Sequence, residues 1–252
     1  MNKSKPLSVQ SYCFRSFTDI DEIASMTTAC GLTGIEVCNR HADFTRPESF
    51  GGTAARFRGD GIPVTSIGVN TLTGSREHDR PFFESAAAAG LALMSVNFKL
   101  DGVPECLATA ESLAEEFDLK LGIHNHGGRH WLGSRESLAW VFGRTGKRIG
   151  LCLDTAWALD AGENPVEMVR QFGERLYVLH LKDFVFAPSG ESKDVVVGTG
   201  NLDLGRLDAA LAEIGFNGVG VLEYEGDSEN PVPALKECVV KIRREMSHYG
   251  QE

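Results

Sequence analysis

The sequence predicts a single-domain (β/α)8 barrel, and three observations predict it. Short β-rich apolar runs alternate with helical stretches along the whole chain, the runs recur about every 30 residues, and 252 residues is the usual length of one complete barrel. Strands of a parallel sheet are covered by helices on both faces, so they read as continuous Val-, Ile- and Leu-rich segments. One domain over residues 1–252 is expected.

In chain order the strands are expected at Leu7–Cys13, Gly34–Cys38, Pro63–Val69, Ala92–Phe98, Lys120–His124, Arg148–Leu153, Leu176–Leu181 and Val219–Tyr224. The helices between and after them are expected at Asp19–Cys30, Pro47–Asp60, Asp79–Ala89, Val103–Phe117, Ser134–Phe142, Pro165–Phe172, Leu204–Ile214 and Val232–His248. Asp19 precedes an acidic first turn, Ser134 has Glu136 close behind, and Gly31, Gly90 and Gly215 follow helical runs, as caps do. A doubly wound open sheet is the competing architecture. Its Gly-rich phosphate turn does not follow the first strand, where Tyr12-Cys13-Phe14-Arg15 stands instead. The stretch Phe184–Asn201, with Pro188, Gly190, Gly198 and Gly200, is expected as a loop over the mouth, either a lid or a plain surface loop.

Composition narrows the function. A net charge of −10 works against nucleic-acid partners, which need clustered cations, and the one basic cluster, Lys241 to Arg244, falls on the last helix. No apolar stretch reaches the ~20 residues of a membrane span, and no signal-peptide core follows Met1, so a cytoplasmic protein is expected. The six cysteines form no Cys-x-x-Cys pair and lie in apolar runs, which suits free thiols in a reducing compartment.

A barrel builds its active site at the C-terminal ends of its strands, and these ends are polar. The second run ends at Glu36 with His41 beyond, the fourth carries Asn97, and the fifth ends His124-Asn125-His126. The sixth ends at Asp154, the seventh carries His180 and Lys182, and the eighth ends at Glu223. Strand alternation points Asp154, His180 and Glu223 inward, where unpaired carboxylates and imidazoles are costly to bury and a shared divalent cation offsets the cost. Two carboxylates with one or two imidazoles suit Mn2+, Zn2+, Fe2+ or Co2+ better than Ca2+. His124 and His126 share one strand face, so one suits a ligand and the other an acid or base. Taken singly, Asp154 could cap a helix, His180 could be a core histidine and Glu223 could pair with Lys182. Trp157, like His130 and Trp131, offers either a face to a sugar ring or simple packing.

At Gly34-Ile35-Glu36, Gly150-Leu151-Cys152-Leu153-Asp154-Thr155, His180-Leu181-Lys182-Asp183, Gly198-Thr199-Gly200 and Leu222-Glu223, the chain resembles the xylose-isomerase-like TIM-barrel superfamily of sugar phosphate isomerases and epimerases. The resemblance implies one divalent ion, Mn2+ first and Zn2+, Co2+, Fe2+ or Mg2+ otherwise, held by a Glu, an Asp, a His and a Glu after strands five to eight. Asp154, His180 and Glu223 match the last three, and His124 stands where the first Glu is expected. Trp157 stands where ketose epimerases carry a His. A histidine at the strand-five position also resembles inosose dehydratases, which act on keto-sugars or cyclitols.

The reading that follows is a metal-dependent isomerase or epimerase working through an enediolate on a keto-sugar or sugar phosphate. A lyase or dehydratase on a keto-sugar, keto-glycoside or cyclitol and a non-catalytic sugar sensor are its rivals. A barrel endonuclease has the charge and the ligand count against it. Glu223 or His126 takes the substrate proton, Lys182 assists, and Glu36, His41, Asn97 and Trp157 are expected to contact substrate. The partner is a small carbohydrate, with further copies of the same chain left open.

Overall fold

The computed structural model describes residues 5–250. Their strands are β1 (Leu7–Gln10), β2 (Gly34–Val37), β3 (Val64–Ile67), β4 (Asn70–Leu72), β5 (Leu93–Phe98), β6 (Lys120–His124), β7 (Ile149–Asp154), β8 (Leu176–Leu181), β9 (Asp183–Phe186), β10 (Ser192–Val195) and β11 (Val219–Leu222). The helices are α1 (Ile20–Ala29), α2 (Pro47–Gly59), α3 (Arg76–Ala88), α4 (Glu105–Glu116), α5 (Arg135–Phe142), α6 (Thr155–Asp160), α7 (Pro165–Phe172), α8 (Leu204–Glu213) and α9 (Pro231–Glu245). Nine strands form one parallel sheet in the order β3-β2-β1-β11-β8-β7-β6-β5-β4. Because β3 and β4 are two halves of one interrupted strand, this order is an eight-position barrel, the expected (β/α)8 fold.

The interruption lies at Gly68. Its N–H donates to Val37 O (3.0 Å), and a side chain there would sit 2.5 Å from the Ser95 carbonyl oxygen. The sequence reading stops the third strand at Val69, whereas pairing resumes at Asn70, opposite Val96. Reading the first strand to Cys13 overruns as well. The chain leaves the sheet after Gln10, whose side chain accepts from Tyr12 N–H (3.2 Å) and starts a 3-10 turn over Ser11–Phe14. The eighth strand likewise ends at Leu222, before the expected Tyr224.

Two further corrections fall near the mouth. The expected loop Phe184–Asn201 contains part of an antiparallel hairpin, β9 paired with β10, and the chain beyond it folds onto Asp183. That carboxylate accepts from Gly198 N–H (3.0 Å), Gly200 N–H (2.8 Å) and Leu202 N–H (2.9 Å). The short helix α6, absent from the sequence reading, begins at Asp154, whose Oδ1 accepts from Trp157 N–H (2.8 Å) and caps it.

Helices ring the barrel with their apolar stripes inward: Val166, Met168, Val169 and Phe172 of α7 are buried, as are Leu204, Leu207, Ala210 and Leu211 of α8. Asp19, Ser75, Ser134, Asn164 and Asp203 each cap a helix with a side-chain oxygen. All six cysteines are free and buried. No helix among the described residues is long and apolar enough to cross a membrane.

Gly150, in the second resemblance motif, is required by close packing. A Cβ there would overlap the Arg175 carbonyl oxygen and the Tyr177 ring. Gly150→Ala is expected to lower stability by about 1–3 kcal/mol through overpacking, read as a lower thermal midpoint; an unchanged midpoint would contradict the packing seen.

Candidate metal centre and the cavity above it

Four neighbouring strands end in the groups that matter, and side chains of the same segments align those ends. Asn125 accepts from Asp154 N–H (2.8 Å) and donates to Asp154 O (3.0 Å), fixing the end of β6 to that of β7. Thr155 Oγ1 accepts from Lys182 N–H (3.1 Å) and donates to Lys182 O (2.6 Å), fixing β7 to β8. Glu223 N–H donates to Leu181 O (3.0 Å), continuing the ladder past β11. In the sheet register Asp154 lies beside His180, which lies beside Val221.

The result is a compact set. His124, Asp154, His180 and Glu223 each offer a donor atom, all within 4.8 Å of one another, and all four residues are buried. His124 Nε2 is 3.2 Å from His180 Nδ1 and 3.6 Å from Asp154 Oδ2, and His180 Nδ1 is 2.8 Å from Glu223 Oε2. Donors bound to one tetrahedral ion at about 2.1 Å would stand about 3.4 Å apart, and these three separations, 2.8, 3.2 and 3.6 Å, bracket that value. Asp154 Oδ2 is buried without a hydrogen-bond partner, and two imidazole nitrogens face each other among carboxylates. The set therefore fits a divalent cation with mixed nitrogen and oxygen ligands.

The charge balance agrees. Burial disfavours the Glu223 carboxylate, but Lys182, His180 and His124 outweigh it and hold its pKa well below the usual range. Burial also opposes a charged His180, yet Cys152, Glu36 and Glu223 around it raise its pKa well above the usual value. His126 goes the other way: burial, then the nearby His124 and His130, lower it to about 4, so it is neutral at neutral pH.

Above this set lies a cavity of about 250 Å³ lined by Tyr12, Cys38, His126, Trp157, Glu223 and Glu225 among others. The His126 ring stacks 4.7 Å from His124 and 6.3 Å from Trp157, and the edge of Phe184 supports the indole at 5.1 Å. Of the residues expected to touch substrate, Trp157 and His126 thus reach the cavity. Lys182 does not: it is 1% exposed, within 3.4 Å of Glu223 Oε1 and 3.8 Å of Asp194 Oδ2, and paired closely with Glu225. It acts on the cavity through Glu223.

Three residues expected to contact substrate lie outside the cavity lining. Glu36 is fully buried beneath His180, with Gln10, Ser66 and Ser95 donating to it. His41 has both ring nitrogens engaged, Nδ1 with Ser11 Oγ (3.0 Å) and Nε2 with the Phe17 carbonyl (3.1 Å), so it braces the first turn. Asn97 faces His130 Nε2 (3.1 Å) and accepts from Phe98 N–H (2.8 Å), holding the loop after β6. Glu225 and Tyr12 line the cavity without having been expected there. Glu225 lies two residues after Glu223, a spacing that would put both on one face of a continued strand, which is the signal that could have found it. Asp194 reaches Lys182 from the hairpin, and burial raises its pKa to about 7 against the pull of Lys182. It lies on the four-residue strand β10, which is too short to carry a periodic signal.

Comparison with known proteins agrees with this architecture. No curated protein matches the chain in sequence. Among solved structures, the IOLI protein with a bound zinc atom superposes with a TM-score of 0.78 at 17% identity, over 96% of this chain and 100% of that one. The 3-keto-D-glucoside 4-epimerase YcjR from E. coli gives 0.74 at 16%, over 95% and 100%. The probable 3-DHS dehydratase AsbF from Bacillus anthracis gives 0.75 at 16%, over 95% and 100%. At these identities the likeness is one of fold. Residues 99–243, which span β6, β7, β8 and β11 and so all four members of the buried set, match the xylose isomerase-like TIM barrel, and the chain belongs to that family.

Proposed function

We propose that the protein is a divalent-metal-dependent isomerase or epimerase acting on a keto-sugar or sugar phosphate. The observation that carries this reading is the convergence of His124, Asp154, His180 and Glu223 in one buried set, two of which, His124 and Glu223, line a small cavity. These four would hold the ion, with Mn2+ the first choice and Zn2+ or Co2+ also suited to the donors. A cation bound there supplies Lewis-acid polarisation of a substrate carbonyl and its neighbouring hydroxyl, which acidifies the C–H between them.

The chain's own residues do the rest. Glu223 is an ionised carboxylate at the cavity wall, and it takes the proton at an oxygen that Lys182 keeps in place from behind. His126, neutral above pH about 4, lies beside the His124 ring and orients a substrate hydroxyl. Trp157 offers an indole face to the apolar face of a sugar, braced by Phe184. The fold likeness to an epimerase of a 3-keto-glucoside and to a zinc-holding protein supports this chemistry.

A second reading, a dehydratase, is favoured by one observation. With His124 in the strand-five place, the two carboxylates that line the cavity, Glu223 and Glu225, both follow β11 and both pair with Lys182, and His126 is a weak base, so returning a proton to the opposite face lacks a strong partner. Elimination needs no proton returned to carbon: after the first removal the β-hydroxyl leaves as water, taking a proton from a cavity acid or from solvent. NMR of the metal-loaded protein with keto-sugars and inososes in D2O separates the readings. Deuterium gained at a substrate α-carbon with the skeleton retained supports the isomerase; loss of water supports the dehydratase. Binding without either outcome across the panel would sink both and leave a sensor.

Trp157→Phe keeps a ring but loses area. It is expected to raise KM by about tenfold, as for a contact worth 1–1.5 kcal/mol, and to leave metal content unchanged. Loss of metal would place Trp157 in a packing role.

A further inference from the structure

The strands β1, β2, β3 and β5 contribute none of the four donors, yet they meet that set at one carboxylate. Glu36 on β2 is fully buried in the barrel. Its Oε1 receives Gln10 Nε2–H from β1 at 2.6 Å and lies 3.0 Å from His180 Nε2. Its Oε2 receives Ser95 Oγ–H from β5 at 2.9 Å and a close hydrogen bond from Ser66 of β3. The approach of His180 is close but oblique, so its N–H makes no straight hydrogen bond.

Three side-chain donors, from Gln10, Ser66 and Ser95, converge on the two Glu36 oxygens, which is the surrounding of an acceptor-only carboxylate. An ionised carboxylate only accepts, so the nitrogen of His180 beside it must carry a hydrogen. The other nitrogen, Nδ1, faces His124 Nε2 (3.2 Å), Glu223 Oε2 (2.8 Å) and the centre of the set, and the proton that Glu223 holds there in the metal-free protein is the one a cation would displace.

We propose that Glu36 is a positioning residue for the metal centre: it keeps a proton on His180 Nε2 when a cation displaces the one on Nδ1, and so presents Nδ1 as the ligand. This rests on the metal-dependent reading above. Gln10, Ser66 and Ser95 have the supporting task of fixing the carboxylate. Through this one contact the half of the barrel without ligands sets the affinity of the half that has them.

Glu36→Gln is nearly isosteric but supplies two N–H groups where three side-chain donors already point. Its amide must turn toward at least one of them or toward His180 Nε2, and the latter moves the imidazole proton onto Nδ1 and blocks ligation. Titration of the metal-free protein with Mn2+ and Zn2+ against a chromophoric chelator should show affinity about 10–100-fold below wild type. A purely structural role would instead lower the thermal midpoint and leave affinity untouched. The Ser66→Ala, Ser95→Ala double variant keeps the charge but loosens it, and a loss of several-fold is expected; if Glu36→Gln does not fold, this variant decides. Wild-type affinity in the deciding variant, with wild type itself binding one ion, overturns the proposal and spares the metal-dependent reading. Wild type binding no divalent ion overturns both.

Discussion

Stripping divalent metal with a chelator is expected to lower the thermal midpoint by roughly 5–10 °C relative to protein held at about 100 times the dissociation constant. That concentration adds about 2.7 kcal/mol to folding, and for a chain of this size each kcal/mol moves the midpoint by about 2–4 °C. The cause is local: Glu36, Asp154 and Glu223 are buried carboxylates, and Asp154 Oδ2 has no other partner. The size of the shift should depend on pH. His180 in metal-free protein has a raised pKa, so its proton stabilises that form below the unfolded value and the benefit is lost as pH rises through the folded value. The gap between metal-loaded and stripped protein therefore widens toward alkaline pH. Identical melting with and without metal would contradict the account.

His180→Ala is expected to have the largest effect on function. It removes a ligand and the group lying between Glu36 and Glu223, so metal affinity should fall by about 100-fold or more, with turnover following occupancy. Breaking a buried charged pair also costs about 3–5 kcal/mol, within the reserve of a typical domain, so circular dichroism should still show a folded barrel with a lower midpoint. His41→Ala is the matched control. Its ring nitrogens bond Ser11 and backbone carbonyls, and its loss should leave metal content unchanged. Stoichiometric metal in purified His180→Ala, or loss of metal in His41→Ala, would mean that the ligands have been misplaced.

These residues also show which parts of the structure are legible in sequence. Asp154, His180 and Glu223 could be placed because strand alternation is a local rule and the barrel puts strand ends at one mouth. Glu36 obeys the same rule and points inward, but depth along the barrel axis depends on strand stagger, which no local pattern encodes. It therefore lies beneath the cavity and under His180. The burial of Lys182 is illegible for a related reason: its three carboxylate partners come from β10 and from the segment after β11, further along the chain. The hairpin β9–β10 lacked a signal because each strand has only four residues and β10, Ser-Lys-Asp-Val, is mostly polar and not buried. The helix α6 was hidden because a single carboxylate, Asp154, both caps it and belongs to the buried set.

Anomalous X-ray diffraction at the absorption edge of the bound metal, on crystals grown with Mn2+ or Zn2+, tests the central claim most directly. One strong peak is predicted within about 2.0–2.3 Å of His124 Nε2, Asp154 Oδ2, His180 Nδ1 and a Glu223 carboxylate oxygen. A peak elsewhere, or none in protein that carries one ion per chain in solution, would contradict it.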